Sequence, residues 1–506
     1  MNFRILKNSL LIFALLFTVA SCSKDDDEND NKKNNESDLP LAEQMNSPVS
    51  GSTITNTGKI VIGLNESDFI YQRNANVLKA MGWVSKRVTD CAAMNDIPYF
   101  AGQNEVDTTK SIDNVTLVNK GIIEIHTKRI VELYESQTVN PEIEDETGRP
   151  IEYVRMFGMC STGKNCTIIN EGTIEVYFDH DPDTPIWVYC FAMAGGAGSQ
   201  IINKGTIKFS GNGSRRTRMR CIAITGAGAT AINEGDMFMN VDMAEDCRMI
   251  TCGENRCTII NDGMMKGRVP GTLFGMTHYG TNTVLNRGNI NLTVVPVPEG
   301  QTSILTNDMK FVCGLYNVYN QNRKVIPPMV NEGVIDIAIE GNATSDAAFQ
   351  GYGFLYDLIG GNRITAGMTN DGIISVSQTG PVHFDMGEVG FKCTPKVLSV
   401  EPPLMCKVKL GHWKTRIRDF AATKDLFVAK GVGLDFTESY IDLVKTESYV
   451  IGTQYSVAED ALIYNADKRF TNEIIGFDNL VFRASGEGVK LNWDKDKQTV
   501  SLLNAK

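Results

Sequence analysis

A short motif recurs along this chain: an Asn, a Gly two residues later, and then apolar residues at alternate positions. The two clearest copies read CTIINEGTIEV at 166–176 and CTIINDGMMKG at 257–267. Apolar residues at alternate positions predict a strand with one buried face, and the Gly predicts a preceding turn with positive φ. The asparagines of the nine copies are Asn56, Asn119, Asn170, Asn203, Asn233, Asn261, Asn286, Asn331 and Asn370.

The spacing of the copies points to a stacked arrangement. Successive asparagines are 25 to 63 residues apart, which fits neither a β-sandwich meander nor a βαβ unit. If each copy is one coil of a solenoid, equivalent side chains lie about 4.8 Å apart and share one core. Stacked Asn amides can then hydrogen-bond along the axis as a structural ladder, the alternative being exposed turn asparagines. We therefore predict an all-β fold, a β-solenoid.

A second strand precedes most copies. Its fourth residue is apolar in five coils, and these residues are Met159, Met193, Ile224, Ile250 and Met276. Residues 64–115 interrupt the repeats, and we expect a short helix at 76–88 within this insertion. The copies stop near 380, so residues 381–506 are expected to form irregular coils or a β-rich C-terminal cap. Alternating residues on either side of DKDK (494–497) predict a hairpin within that cap.

The repeat unit resembles the right-handed parallel β-helix repeat of bacterial autotransporter adhesins and related surface proteins. The resemblance covers residues 50–380 and implies a right-handed parallel β-helix with a role in adhesion or binding. The chain differs from autotransporters in having no terminal run of amphipathic membrane strands, so we expect a different kind of anchor.

The first residues suggest that anchor. Arg4 and Lys7 precede an apolar run at 10–20, which is typical of a signal peptide, here assigned to 1–21. Val19-Ala20-Ser21-Cys22 resembles a bacterial lipobox, which implies that Cys22 is lipidated, the alternative being an incidental cysteine. Residues 22–49 are expected to form an acidic flexible tether. The tether resembles the surface-export signal of Bacteroidetes lipoproteins and implies an outer-membrane protein facing the cell exterior, the alternative being a plain solvated linker.

The chain has twelve cysteines, and the repeat register limits their pairing. Cys166 and Cys257 are equivalent but three coils apart, too far for a disulfide. Cys190, Cys221 and Cys247 are expected at equivalent sites in successive coils, as a stack of small apolar side chains or as a disulfide. No metal site and no cofactor are predicted.

Composition and motifs favour a binding function. A net charge of −11 argues against a nucleic-acid partner. The chain has no recognisable catalytic signature. We expect the acidic DHDPD (179–183) to be an exposed turn, the alternative being a cation site. We expect the basic SRRTRMR (214–220) to be solvated surface, the alternative being a site for an acidic glycan or a lipid headgroup. Candidate ligand-binding aromatics are Trp187, Tyr316, Tyr319 and Tyr352, with burial in strands as the alternative.

We predict adhesion, or binding of a glycan or a host or cell-surface protein. The alternatives are a polysaccharide lyase or glycoside hydrolase on the same fold, or a structural surface component.

Overall fold

The computed structural model describes the repeats almost completely and the flanking segments in part. The described residues are 49–64, 91–95, 112–136, 153–161, 163–279, 282–299, 311–320, 325–341, 349–359, 364–380, 385–394, 406–417, 425–430, 433–435, 440–445, 451–452, 454–459, 463–465, 468–471, 481–485, 488–494 and 499–505. The expected signal peptide, most of the tether and the expected helix at 76–88 lie outside these residues.

The chain winds repeatedly through three parallel sheets, and each motif copy supplies a strand to the first sheet and a strand to the second. Strands of the first sheet are Thr53–Asn56, Thr116–Asn119, Thr167–Asn170, Gln200–Asn203, Thr230–Asn233, Thr258–Asn261, Thr283–Asn286, Val325–Asn331, Ile364–Asn370, Cys406–Ile417, Gly433–Asp435, Tyr440–Lys445 and Val481–Ser485. Strands of the second sheet are Lys59–Ile62, Ile122–His126, Thr173–Phe178, Thr206–Gly213, Asp236–Met243, Met264–Val269, Asn289–Val294, Val334–Glu340 and Ile373–Thr379.

The third sheet contains the strands that precede each copy, and it ends in a hairpin. Its strands are Cys91–Asn95, Tyr153–Ser161, Trp187–Gly195, Thr217–Ile224, Asp246–Cys252, Thr272–Tyr279, Phe311–Asn320, Gln350–Ile359, Asp385–Thr394, Asp425–Lys430, Tyr455–Glu459, Val489–Asp494 and Thr499–Asn504. A helix, Lys128–Ser136, and an antiparallel pair, Ile463–Asn465 with Lys468–Thr471, complete the described elements. Three stacked parallel sheets with a shared core constitute a parallel β-helix, so the predicted fold class is confirmed.

The asparagines form one continuous ladder. Each side-chain amide donates to the side-chain oxygen of the next Asn at 2.7–2.8 Å, from Asn56 through to Asn370. All nine side chains are buried. Because buried amides need partners, the stacking of identical residues satisfies polar groups that would otherwise face an apolar core.

The motif glycines are required for a reason that differs from the predicted one. None of them has a positive φ. Instead, a Cβ on Gly172, Gly205 or Gly235 would lie 2.0–2.1 Å from the carbonyl oxygen of the preceding motif glycine. The backbones of successive coils therefore approach closely at this position, and only the absence of a side chain allows it.

The predicted register of the third sheet is wrong in one coil. Ile222, and not Ile224, aligns with Met193 and Ile250. Met219 consequently lies between Cys190 and Cys247, and Cys221 is displaced by two residues from their column. The predicted cysteine stack is therefore interrupted, and Cys190 and Cys247 are two coils apart.

The described strands after residue 380 continue two of the three sheets. The last described strand of the second sheet is Ile373–Thr379, but parallel strands of the first and third sheets continue to Val481–Ser485 and Tyr455–Glu459. The predicted hairpin is present, since Val489–Asp494 pairs antiparallel with Thr499–Asn504. In the expected insertion, Cys91–Asn95 pairs with Tyr153–Ser161 as a strand of the third sheet.

Candidate functional site

Charged, amide and aromatic side chains lie together on the outer face of the second sheet and at its corner with the third sheet. Side chains alternate along these strands, so every second residue faces solvent while the others enter the core. The seventh residue after each of the six ladder asparagines from Asn119 to Asn286 points outward, and the register aligns these residues into one column: His126, Tyr177, Ser210, Asn240, Arg268 and Thr293.

One end of this column is a closely bonded charged cluster. His126 lies between two carboxylates, with Nε2 2.9 Å from Glu124 and Nδ1 3.1 Å from Asp179, and its ring stacks on Tyr177 at 4.9 Å. Hydrogen bonds from Lys59 and then His126 lower the pKa of Glu124. The Tyr177 hydroxyl donates to Glu175 at 2.6 Å, and this bond raises the pKa of Tyr177 to about 12. The Tyr177 hydroxyl is therefore not poised to accept a proton from a substrate.

The acidic segment at 179–183 is partly structural. The Asp179 carboxylate accepts the backbone N–H of Lys128 at 2.7 Å and so caps the helix Lys128–Ser136. His180 is buried, with Nδ1 2.7 Å from the Thr127 hydroxyl, and burial lowers its pKa to about 4. Asp179, Asp181 and Asp183 are exposed as expected, whereas the buried His180 is not. No cluster of three or more His, Cys, Asp or Glu able to hold a metal ion occurs among the described residues.

A groove lies beside this cluster, at the corner where strands of the second sheet end. Its volume is about 470 Å³. Its polar lining comes from Asn212, Asn240, Asp242 and Arg268, all exposed, and Arg268 forms a 2.8 Å ion pair with Glu340. Its apolar lining comes from the half-buried Pro182, Val295, Pro296 and Pro298, and the buried Val241 and Met243 lie behind it. The groove therefore offers two amides, one carboxylate and one guanidinium beside these apolar residues.

The basic segment at 214–220 is largely neutralised by its own neighbours. Arg218 forms an ion pair with Glu245 and donates to the Tyr189 hydroxyl at 2.7 Å. Arg220 forms an ion pair with Asp246 at 2.6 Å. Arg215 remains exposed in the turn before the strand. This segment is therefore mostly an ion-pair network on the third sheet and not the fully solvated surface expected.

The candidate aromatic side chains that the structure describes, those of Trp187, Tyr316 and Tyr352, do not form an exposed platform. The Arg218 guanidinium lies 4.4 Å from the ring centroid of half-buried Trp187 and occupies one face of the indole. Tyr316 and Tyr352 are buried, and Tyr316 stacks on Phe274 at 4.5 Å. The backbone of Tyr319 belongs to Phe311–Asn320, but its side chain lies outside the description. In this arrangement the rings of Tyr316 and Tyr352 are not available to a ligand.

Tyr356 lies beside the apolar column of the third sheet and not within it. Phe354 fills the always-apolar position, and Tyr356 lies two residues later in line with Asn317 and His278. These three side chains are buried, and the Tyr356 hydroxyl donates to the Gly367 carbonyl at 2.6 Å. The Asn317 amide nitrogen lies 3.0 Å from Nε2 of His278.

Sequence reasoning missed the groove residues, although part of the signal was present. Asn240 and Arg268 each stand seven residues after a ladder Asn, and Asn212 and Asp242 stand nine residues after one. Counting from the ladder places them in outward columns. The approach of Pro182 and Pro296 to these columns depends on corner loops without a repeat, which the sequence does not determine.

Comparison with known proteins adds a partial match. A family model described as the BigA third pectate lyase-like domain matches residues 28–236, less than half of the chain. This part of the chain is therefore similar to a pectate lyase-like domain, in agreement with the β-helix. The matched range contains Pro182 and Asn212, whereas Asn240, Asp242 and Arg268 follow it. Neither the curated proteins nor the solved structures gave a match.

Proposed function

We propose that this protein is a lipid-anchored surface protein that binds a glycan in the groove at the corner of its second and third sheets. The observation that carries the proposal is the lining of the groove, where exposed amide and charged side chains alternate with proline and aliphatic walls. Small-ligand sites combine apolar walls with a few well-placed polar groups. Amides suit sugar hydroxyls because each amide offers both donors and an acceptor.

The groove chemistry supports binding over cleavage. Glycoside hydrolysis by the common mechanisms uses two carboxylates flanking the scissile bond. Asp242 is the one carboxylate among the described residues that line the groove, and the guanidinium of Arg268 is already paired with Glu340. The nearby imidazole of His126 is held by two carboxylates.

The proposed location rests on the sequence. Arg4 and Lys7, the short apolar run at 10–20 and the following Cys22 together favour export and lipidation. The acidic tract after Cys22 favours display on the outer surface. No described helix has the length and apolar character needed to cross a membrane.

A glycan lyase is the second candidate, favoured by the pectate lyase-like description of the matching family model. In that case the same groove would hold an acidic glycan and the chain would release unsaturated sugars. Turnover therefore separates the two proposals.

The test is a glycan array, with acidic and neutral members, probed with the full chain and with an Asn212→Ala/Asn240→Ala double variant. Each lost amide hydrogen bond costs about 1 kcal/mol, so we expect the double variant to bind roughly thirtyfold more weakly. Asn291→Ala is the matched control, since Asn291 is exposed on the same sheet but does not line the groove.

Each bound glycan is then incubated with the chain and assayed for unsaturated products and for new reducing ends. Binding without products supports a glycan-binding protein. Products that depend on the groove residues support the enzyme instead. Absence of both binding and products rejects both proposals and favours a structural component.

A further inference from the structure

The turn between the third and first sheets carries a cysteine at each end in one coil. Cys252 is the last residue of Asp246–Cys252, and Cys257 immediately precedes Thr258–Asn261. Four residues separate them, and Arg256 has a φ of 62°, which tightens the turn. Both cysteine side chains are buried in the solenoid core.

A single amide from the next coil holds both ends of this turn. Asn282 donates from Nδ2 to the Cys252 sulfur at 3.5 Å, and its Oδ1 accepts the backbone N–H of Cys257 at 2.8 Å. Asn282 also donates to the Glu254 carbonyl inside the turn at 2.7 Å. The two cysteines are therefore held beside the same buried side chain.

The two thiols also interact with each other. The Cys252 thiol donates to the Glu254 carbonyl at 3.4 Å and the Cys257 thiol to the Asn255 carbonyl at 3.5 Å, so both sulfurs lie against the same turn. Hydrogen bonding between the two thiols lowers the pKa of Cys257 to about 7. Burial instead raises the pKa of Cys221, Cys247 and Cys313. Since the thiolate is the nucleophile in disulfide exchange, Cys257 is the most reactive of these thiols.

We propose that Cys252 and Cys257 form an intramolecular disulfide that closes this turn. The oxidant is a disulfide donor, either a small-molecule disulfide or a thiol oxidase of an oxidising compartment. The Cys257 thiolate attacks a donor sulfur while the turn is open, and the donor's other sulfur leaves as a thiolate. Cys252 then loses its proton and displaces the remaining donor sulfur. The S–S bond forms within the chain, two electrons pass to the donor, and the two thiols release their protons.

Trypsin gives a direct test because it cleaves after Arg248, Arg256 and Lys266 and so separates the two cysteines into peptides 249–256 and 257–266. The purified full chain is reduced, incubated with glutathione disulfide, acid-quenched, alkylated in denaturant and digested without reductant. We expect the two peptides as one linked species, with loss of both alkylated forms. The peptide 311–323, which contains Cys313 alone, is the internal control and should not become disulfide-linked to another peptide.

Cys252→Ser and Cys257→Ser variants provide the second measurement. In each variant the linked species should disappear, and the remaining cysteine should be alkylated or carry glutathione. The proposal is wrong if the oxidised wild-type chain yields both peptides separately alkylated. It is also wrong if either peptide is linked to a different cysteine. Because the donor is supplied in the assay, the result does not depend on where the protein resides or on what it binds.

Discussion

Single side chains of the ladder each serve two coils. Asn203 accepts from Asn170 and donates to Asn233, both at 2.8 Å. Leaving a buried amide unpaired costs about 1–3 kcal/mol, so a residue without the amide would disturb both neighbours. The ladder was predictable because identical residues recur at identical positions. The groove was not, because Asn240 and Asp242 acquire their neighbours from loops that do not repeat.

Because His278 is buried, we predict that the free energy of unfolding falls as the solution becomes acidic. Burial lowers its pKa from 6.5 to about 3, so the folded protein binds this proton later than the unfolded chain. The stabilising contribution is therefore complete above about pH 6.5 and is lost as the pH falls towards 3. Between pH 7 and pH 5 we expect His278 to account for a loss of about 2 kcal/mol in the free energy of unfolding.

The variant His278→Asn tests this expectation, since Asn317 already occupies the equivalent position in the next coil. Urea unfolding at pH 7 and pH 5 should show a smaller loss of stability in the variant than in the wild type. A residual loss is expected from His180, whose burial lowers its pKa to about 4. An unchanged difference between the two pH values would contradict the assignment to His278.

At the scale of the element, the motif turn is limited by the distance between coils. A Cβ on Gly205 would lie 2.0 Å from the Gly172 carbonyl oxygen, and backbone atoms cannot move aside as a flexible side chain can. We predict that Gly205→Ala lowers the free energy of unfolding by about 3 kcal/mol. Chemical denaturation monitored by circular dichroism measures the change.

Gly58→Ala is the matched control because Gly58 has the same motif position in the first coil. The nearest atom to its added Cβ is 4.0 Å away, so we expect a change below about 1 kcal/mol. If both variants lose the same stability, close stacking is not the reason for the motif glycine.

The strand register illustrates what the sequence alone leaves undetermined. The first sheet was predicted in register because Asn and Gly mark every coil. Strands of the third sheet have no such marker. The sequence pattern aligns CIAI (221–224) with CFAM (190–193) and CRMI (247–250) because each segment begins with a cysteine. In the structure Ile222, and not Ile224, aligns with Met193. Ile222 is eleven positions before the ladder residue Asn233, the same interval as from Ile250 to Asn261.

At the scale of the whole molecule, the three sheets share one apolar core while the outer faces differ. The third sheet carries ion pairs such as Arg220 with Asp246, whereas the corner beside it carries the groove. The core requires only a repeated pattern, so the fold class was predictable. A binding surface requires departures from that pattern, and these departures have no periodic signal.

The proposed surface display of the whole molecule depends on Cys22. We predict that the wild-type chain enters the detergent phase on Triton X-114 partitioning and that Cys22→Ala remains in the aqueous phase. Each buried acyl CH₂ contributes about 0.8 kcal/mol, and two chains suffice for stable anchoring. Ser23→Ala, one residue beyond the acceptor, should partition like the wild type. A detergent-phase Cys22→Ala chain would show that another segment holds the protein to the membrane, because lipidation at this cysteine is the only anchor that the proposal contains.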